Sequence, residues 1–157
     1  MNKEYVNIYN NLIKLTRNKS LYLNLINNDS FSDRMIFLLL HLSFFFKIYK
    51  KDNSKNKMQE IHDFFFNQIE LSVREIGHGD VSVNKNMKNY VNLFYDIISH
   101  IDSWDSYDHK KKQEILFKYI DKSKNISFYG NYFDNLCTFY KNNPLNFFAK
   151  DIEEIKI

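Results

Sequence analysis

Residues 61–98 read IHDFFFNQIELSVREIGHGDVSVNKNMKNYVNLFYDII, two apolar-striped runs on either side of a turn that holds two of the chain's three glycines. Before the turn, Phe66, Ile69, Val73 and Ile76 alternate spacings of three and four, which predicts a helix from about Lys57 to Ile76. Gly77 suits the left-handed residue that ends such a helix. After the connector, Asp80 or Ser82 can cap a second helix. Its buried side is marked by Val83, Met87, Tyr90 or Val91, Phe94, Ile98 and Ile101. This helix–turn–helix sets the class.

The same spacing extends outward. Tyr5, Ile8, Leu12 and Leu15 form one stripe, and Leu21–Ile26 a short second helix. Ser30 or Ser32 can cap a long helix ending near Lys50, with Asp33 in its first turn. Residues 51–57 are a polar loop, and further helices are expected over 107–121, 130–142 and 144–155, the last with Pro144 in its first turn. The expectation is an all-α, single-domain bundle of about six to eight helices spanning residues 1–157.

Composition agrees. The chain has 157 residues, 44% hydrophobic and 17% aromatic, enough for one sizeable core. One proline and three glycines are too few for an all-β fold or for glycine-rich nucleotide loops. A single cysteine, Cys137, excludes a disulfide framework and a cysteine-only metal site. A formal net charge of +3 makes no strong field for nucleic acid, and no specific DNA binding is expected. The most apolar run, Met35–Phe46, has twelve residues, whereas a bilayer span needs about 20, so it reads as a helix buried centrally. The N-terminal residues resemble neither a secretory signal nor an arginine-rich transit peptide.

Phe, Tyr, Met, Ile, Asn and Lys make up 87 of the 157 residues, the signature of AT-rich codons. A lysine therefore carries little information, whereas the three arginines, Arg17, Arg34 and Arg74, mark places that need the planar guanidinium. Arg74 stands four residues after Glu70, the spacing of an ion pair on one helix face. It can also fork onto Asp80 and fix the connector. Lys85 and Lys88 face away from the apolar stripe and read as a solvated face or a surface for an acidic partner, a lipid headgroup or RNA. The GHGD turn lacks the lysine and preceding strand of a phosphate loop. None of the five histidines forms an i, i+4 pair, and His41 on the apolar helix reads as a core residue. Asp102, Asp105 and Asp108 read as capping carboxylates in a helix-to-helix loop, and Cys137 as a small buried residue. No nucleophile–base pair can be assembled, and no enzyme or cofactor is expected.

At these residues the chain resembles the ubiquinol–cytochrome c chaperone family. Arg34 followed by LLLHL, with His41, matches the family's aliphatic helix, and Asp63 matches the Asp of Leu-Phe-Asp. VREIGHGD, with Arg74, Glu75, Gly77, Gly79 and Asp80, matches the signature turn in length; Val83, Lys85, Lys88, Phe94 and Tyr95 continue it. The clearest match runs from about Asp29 to Ile98. The chain departs at Asp33, where the family has Gly before the Arg, and at Asp96-Ile97, where it has Gly-Arg. It also carries Asn67 and Gln68 in a helix that is acidic elsewhere, leaving Glu70.

The resemblance implies a non-enzymatic assembly factor for the cytochrome bc1 complex that binds newly made cytochrome b, with a small partner assembly factor and the ribosome or inner-membrane surface nearby. It implies a bacterial cytoplasmic protein peripheral to the inner membrane, or a mature form on the matrix side of the mitochondrial inner membrane. It carries over as partner-binding residues Arg34, His41, Asp63, Glu70, Arg74, Glu75, Gly77, Gly79, Asp80, Lys85, Lys88, Phe94 and Tyr95. A helical adaptor for membranes or ribosomes, without a bc1 role, is the alternative.

Overall fold

In the computed structural model, residues 2–26, 30–77 and 79–157 are described. Asp29, where the resemblance begins, and His78 of the turn lie outside them. The apolar run predicted to be buried forms a helix, Phe31–Tyr49, covered on nearly every side. Ser30 and Asp33 start it with a reciprocal capping box: the Ser30 hydroxyl accepts from the Asp33 amide at 3.1 Å, and the Ser30 amide donates to the Asp33 carboxylate at 3.2 Å. A helix apolar all round must be enclosed by other helices.

In chain order the helices are α1 (Lys3–Thr16), α2 (Lys19–Leu23), α3 (Phe31–Tyr49), α4 (Lys55–Glu75), α5 (Asp80–Ile101), α6 (His109–Tyr119), α7 (Ile126–Asn142) and α8 (Leu145–Phe148). A single 3-10 turn, Trp104–Ser106, precedes α6. The fold is all-α, as expected. Around α3 pack α1, α5 and α7, with α4 laid on α5 and α6 on α7. Rings carry much of this packing. Phe44 stacks on Phe133 at 5.2 Å and meets Trp104 edge-on at 5.0 Å, and Phe46 meets Phe94 at 5.7 Å. The pairs Phe37–Tyr129, His41–Tyr132 and Tyr49–Tyr140 advance together, so α7 runs parallel to α3.

Several expected boundaries move, each for a local reason. Ser54 caps α4, so the helix begins at Lys55 within the expected loop. Helix α2 starts at Lys19, where Asn18 caps it, and Leu25 leaves it to form an antiparallel bridge with Ser123. Helix α5 is capped by neither Asp80 nor Ser82: Gly79 is its N-cap, because the Asp80 carboxylate is engaged by Arg74. Its core face runs through Ile97, which is fully buried, with Ile98 half-buried. Helix α7 begins at Ile126 under an Asn125 cap and carries Gly130 inside it. The expected helix over 144–155 is only α8. Beyond it the backbone carbonyls are taken by α1: Asn11 donates to Phe148 at 2.9 Å and Lys150 at 2.8 Å, Asn7 to Ala149 at 2.9 Å, and Lys14 to Ile152.

His41 is the core residue that the sequence suggested. Its Nδ1–H donates to the Phe37 carbonyl at 2.6 Å, which leaves Nε2 to accept from the Tyr132 hydroxyl at 2.6 Å. The Tyr140 hydroxyl donates to the His41 carbonyl at 3.0 Å, so α3 and α7 are pinned by polar bonds inside an apolar seam. Burial pushes the imidazole down to about 4, against the opposing pull of the Phe37 carbonyl. Cys137 is buried too, its thiol pushed up to about 12.

The unfolded His41 imidazole titrates near 6.5 and the folded one near 4, so between these values the unfolded chain binds the extra proton. Stability should therefore fall as pH drops from about 6.5 to about 4, by roughly 3 kcal/mol at the lower end. Urea titrations across this range should show that slope in the wild type and lose it in His41→Leu. Parallel slopes in the two proteins would remove His41 as its source.

Candidate functional site

Helix α4 returns antiparallel to α3 through a short loop, and α5 returns again, so one end of the bundle gathers the end of α1, α2, the start of α3, the end of α4 and the start of α5. The family-signature turn lies at that end. Gly77 has φ +90°, a left-handed angle that costs any residue with a Cβ. Its amide donates to the Arg74 carbonyl at 3.0 Å, closing α4.

Arg74 does what the spacing suggested. Nη1 donates to the Asp80 carboxylate at 2.7 Å, and Nη2 lies 3.8 Å from Glu70. One guanidinium thus ties the last turn of α4 to the first turn of α5 across the connector. The pair is exposed, so its role is to hold the turn's shape more than to add stability.

Around this turn the surface is apolar, with charges of both signs. Leu71, Ile76 and Val81 are large aliphatic side chains left in water, Val81 85% exposed, and Glu75, Lys85 and Lys88 are exposed nearby in sequence. Beside them lies a groove of about 370 Å³ between α1, α2, α3 and α4. Tyr9, Ile13, Phe31, Met35, Leu38 and Ile69 give it an apolar lining, and Arg17, Lys19 and Arg34 contribute cations. Two of the three arginines thus line one groove. The scarcity of arginine was the available signal, but nothing in the spacing joined Arg17 to Arg34.

The remaining motif residues fall into a second cluster. His62 links Asp63 to Tyr95: Nδ1 lies 3.1 Å from the Asp63 carboxylate, and the Tyr95 hydroxyl lies 3.2 Å from Nε2. Hydrogen bonds from His62 and Gln59 hold the Asp63 carboxyl below its ordinary range. Phe94 sits beneath, packed on Phe46, Phe66 and His62. Motif residues from two helices thus meet through His62, a residue that sequence reasoning did not single out.

Two of the carried-over positions, His41 and Phe94, are buried in the free protein and packed into its core. The departures also find uses. Asp33 closes the capping box of α3, Asp96 accepts from the Tyr119 hydroxyl at 2.7 Å, and Ile97 fills the core. Among the described residues no three ligating side chains gather for a metal ion, and no helix is long and apolar enough to cross a membrane.

The model of the family described as ubiquinol-cytochrome C chaperone matches residues 24–126, well beyond the stretch that carried the resemblance. This chain belongs to that family. A crystal structure of the Cbp3 homolog from Brucella abortus has the same fold, with a TM-score of 0.78, 24% identity and coverage of 98% of this chain and 89% of its own. Among curated proteins no match is found. The matched residues enclose α3, the signature turn and the His62 cluster, so the chaperone family's motif residues here build one end and one face of a helical bundle.

Because Gly77 has a positive φ, Gly77→Ala should lower stability by about 1 kcal/mol. Gly79→Ser, at φ −70° with open space around its Cβ position, should leave it nearly unchanged. Thermal melts of the two variants check this, and equal losses would contradict it.

Proposed function

We propose that this protein is a non-enzymatic assembly chaperone of the cytochrome bc1 complex, working as one domain and holding newly made cytochrome b. The family match over residues 24–126 carries the reading. Support comes from the turn end of the bundle, where exposed Leu71, Ile76 and Val81 offer apolar contact to a hydrophobic client and exposed Lys85 and Lys88 follow in the sequence. Arg74, held between Glu70 and Asp80, keeps that surface in shape. A small partner assembly factor and the inner face of the respiratory membrane fit the same reading.

Membranes from cells lacking the protein should lose the cytochrome b signal of the bc1 complex in reduced-minus-oxidised spectra, with other haem proteins intact. Restoring the wild type should recover the signal. Arg74→Ala should recover it severalfold less well while melting close to the wild type. Normal cytochrome b in the deletion strain would refute the bc1 role. Full recovery by Arg74→Ala would remove the turn from the working surface.

A further inference from the structure

The groove between α1, α2, α3 and α4 combines two properties that the fold does not require. Its lining is apolar, from Ile13 on α1, Phe31, Met35 and Leu38 on α3, and Ile69 on α4. The charged side chains that line it are all cationic: Arg17 just past α1, Lys19 opening α2, and Arg34 in the first turn of α3. Among the described residues no carboxylate lines it. Glu75 is felt by Tyr9, whose hydroxyl is raised by burial, lowered by a hydrogen bond with Ser72 and raised again by that charge; Tyr9 lies two turns back along α1 from Arg17. The site therefore has an apolar floor and a basic edge.

The surroundings point the same way. Leu23 follows Lys19 by one helical turn and is 73% exposed, and Ile26 just beyond it is 64% exposed. Aliphatic side chains standing in water beside cations have no use to a soluble anion. They suit the boundary between headgroups and acyl chains. A volume of about 370 Å³ falls among small-molecule sites, roughly 300–1,000 Å³. It is too small to seat a helix, which is about 10 Å across with its side chains.

We propose that this groove binds one acidic membrane lipid, an acyl chain lying against Ile13, Met35, Leu38 and Ile69 and the phosphate held by Arg17 and Lys19. The lipid site lies beside the client surface at the turn, uses other side chains and does not depend on the bc1 reading. It gives the bundle a fixed way up on an anionic leaflet, where basic side chains are drawn to the surface.

Flotation of the full chain with phosphatidylcholine vesicles, with and without phosphatidylglycerol, tests the proposal. Binding should require phosphatidylglycerol. It should fall at least fivefold in Ser72→Phe, which narrows the groove without changing charge, and in Lys19→Glu, at an exposed position. In parallel, dihexanoyl-phosphatidylglycerol should raise the melting temperature and glycerophosphate should not. Equal stabilisation by glycerophosphate would mean a free-phosphate site and overturn the lipid. Wild-type flotation by a folded Ser72→Phe would mean a charged surface without a chain-binding groove. If Ser72→Phe does not fold, undiminished flotation of Lys19→Glu overturns the proposal. So would a groove that ignores lipid and binds an acidic amphipathic peptide, or one buried by self-association in sedimentation.

Discussion

Everything in this molecule follows from the need to enclose α3. A helix with Phe, Leu and Met on every face cannot lie on a surface, because each such side chain contributes about 1.5–3 kcal/mol when buried. Helices α1, α5 and α7 supply the walls, and the rings of Phe37, Phe44 and Phe45 meet rings of α7. The polar groups inside that seam find partners there. His41 bonds to Phe37 and Tyr132, Ser43 returns its hydroxyl to the Leu39 carbonyl at 2.6 Å, and Tyr49 donates to carbonyls at the end of α7. Buried Lys47 reaches the Asp102 carbonyl at 3.0 Å, fixing the loop that places Trp104. Among the described residues no buried polar side-chain atom is left without a partner.

Enclosing α3 has a consequence at the bundle's end. The helices that cover it must stop and reverse, and the reversal between α4 and α5 is held by Gly77 and by the Arg74–Asp80 bridge. Ile76 and Val81 flank that turn and Leu71 lies on the outer face of α4, and all three are left in water. The connector beside these side chains is held by a local electrostatic clamp rather than by burial. The positions where the chain departs from the family pattern serve packing and capping, so the bundle has absorbed them without disturbing the turn.

Helical class, the central place of α3, the stop at Gly77 and the Arg74 bridge were legible in the sequence because each depends on neighbours within about one turn. Apolar spacing, a glycine after a stripe, and charges four to six residues apart are local signals. The ends of α5, α7 and α8 were not. They turned on competition for the same groups: Asp80 serves Arg74 instead of capping its helix, and the carbonyls after α8 are taken by Asn7, Asn11 and Lys14. His62 was missed for a similar reason, since its partners Asp63 and Tyr95 lie on two helices that only packing brings together.

The sequence by itself determined that this chain is an all-α protein with one helix buried all round, and its ordered motifs were enough to place it in a family. The tertiary structure alone decided which motif residues face outward. His41 and Phe94 share a motif with exposed Arg34 and Tyr95, yet burial separates them, because a helix presents adjacent residues about 100° apart and only the neighbouring helices say which side is covered. It alone also brought Arg17 and Arg34 to one groove, since their shared surface exists only once α1, α3 and α4 have packed.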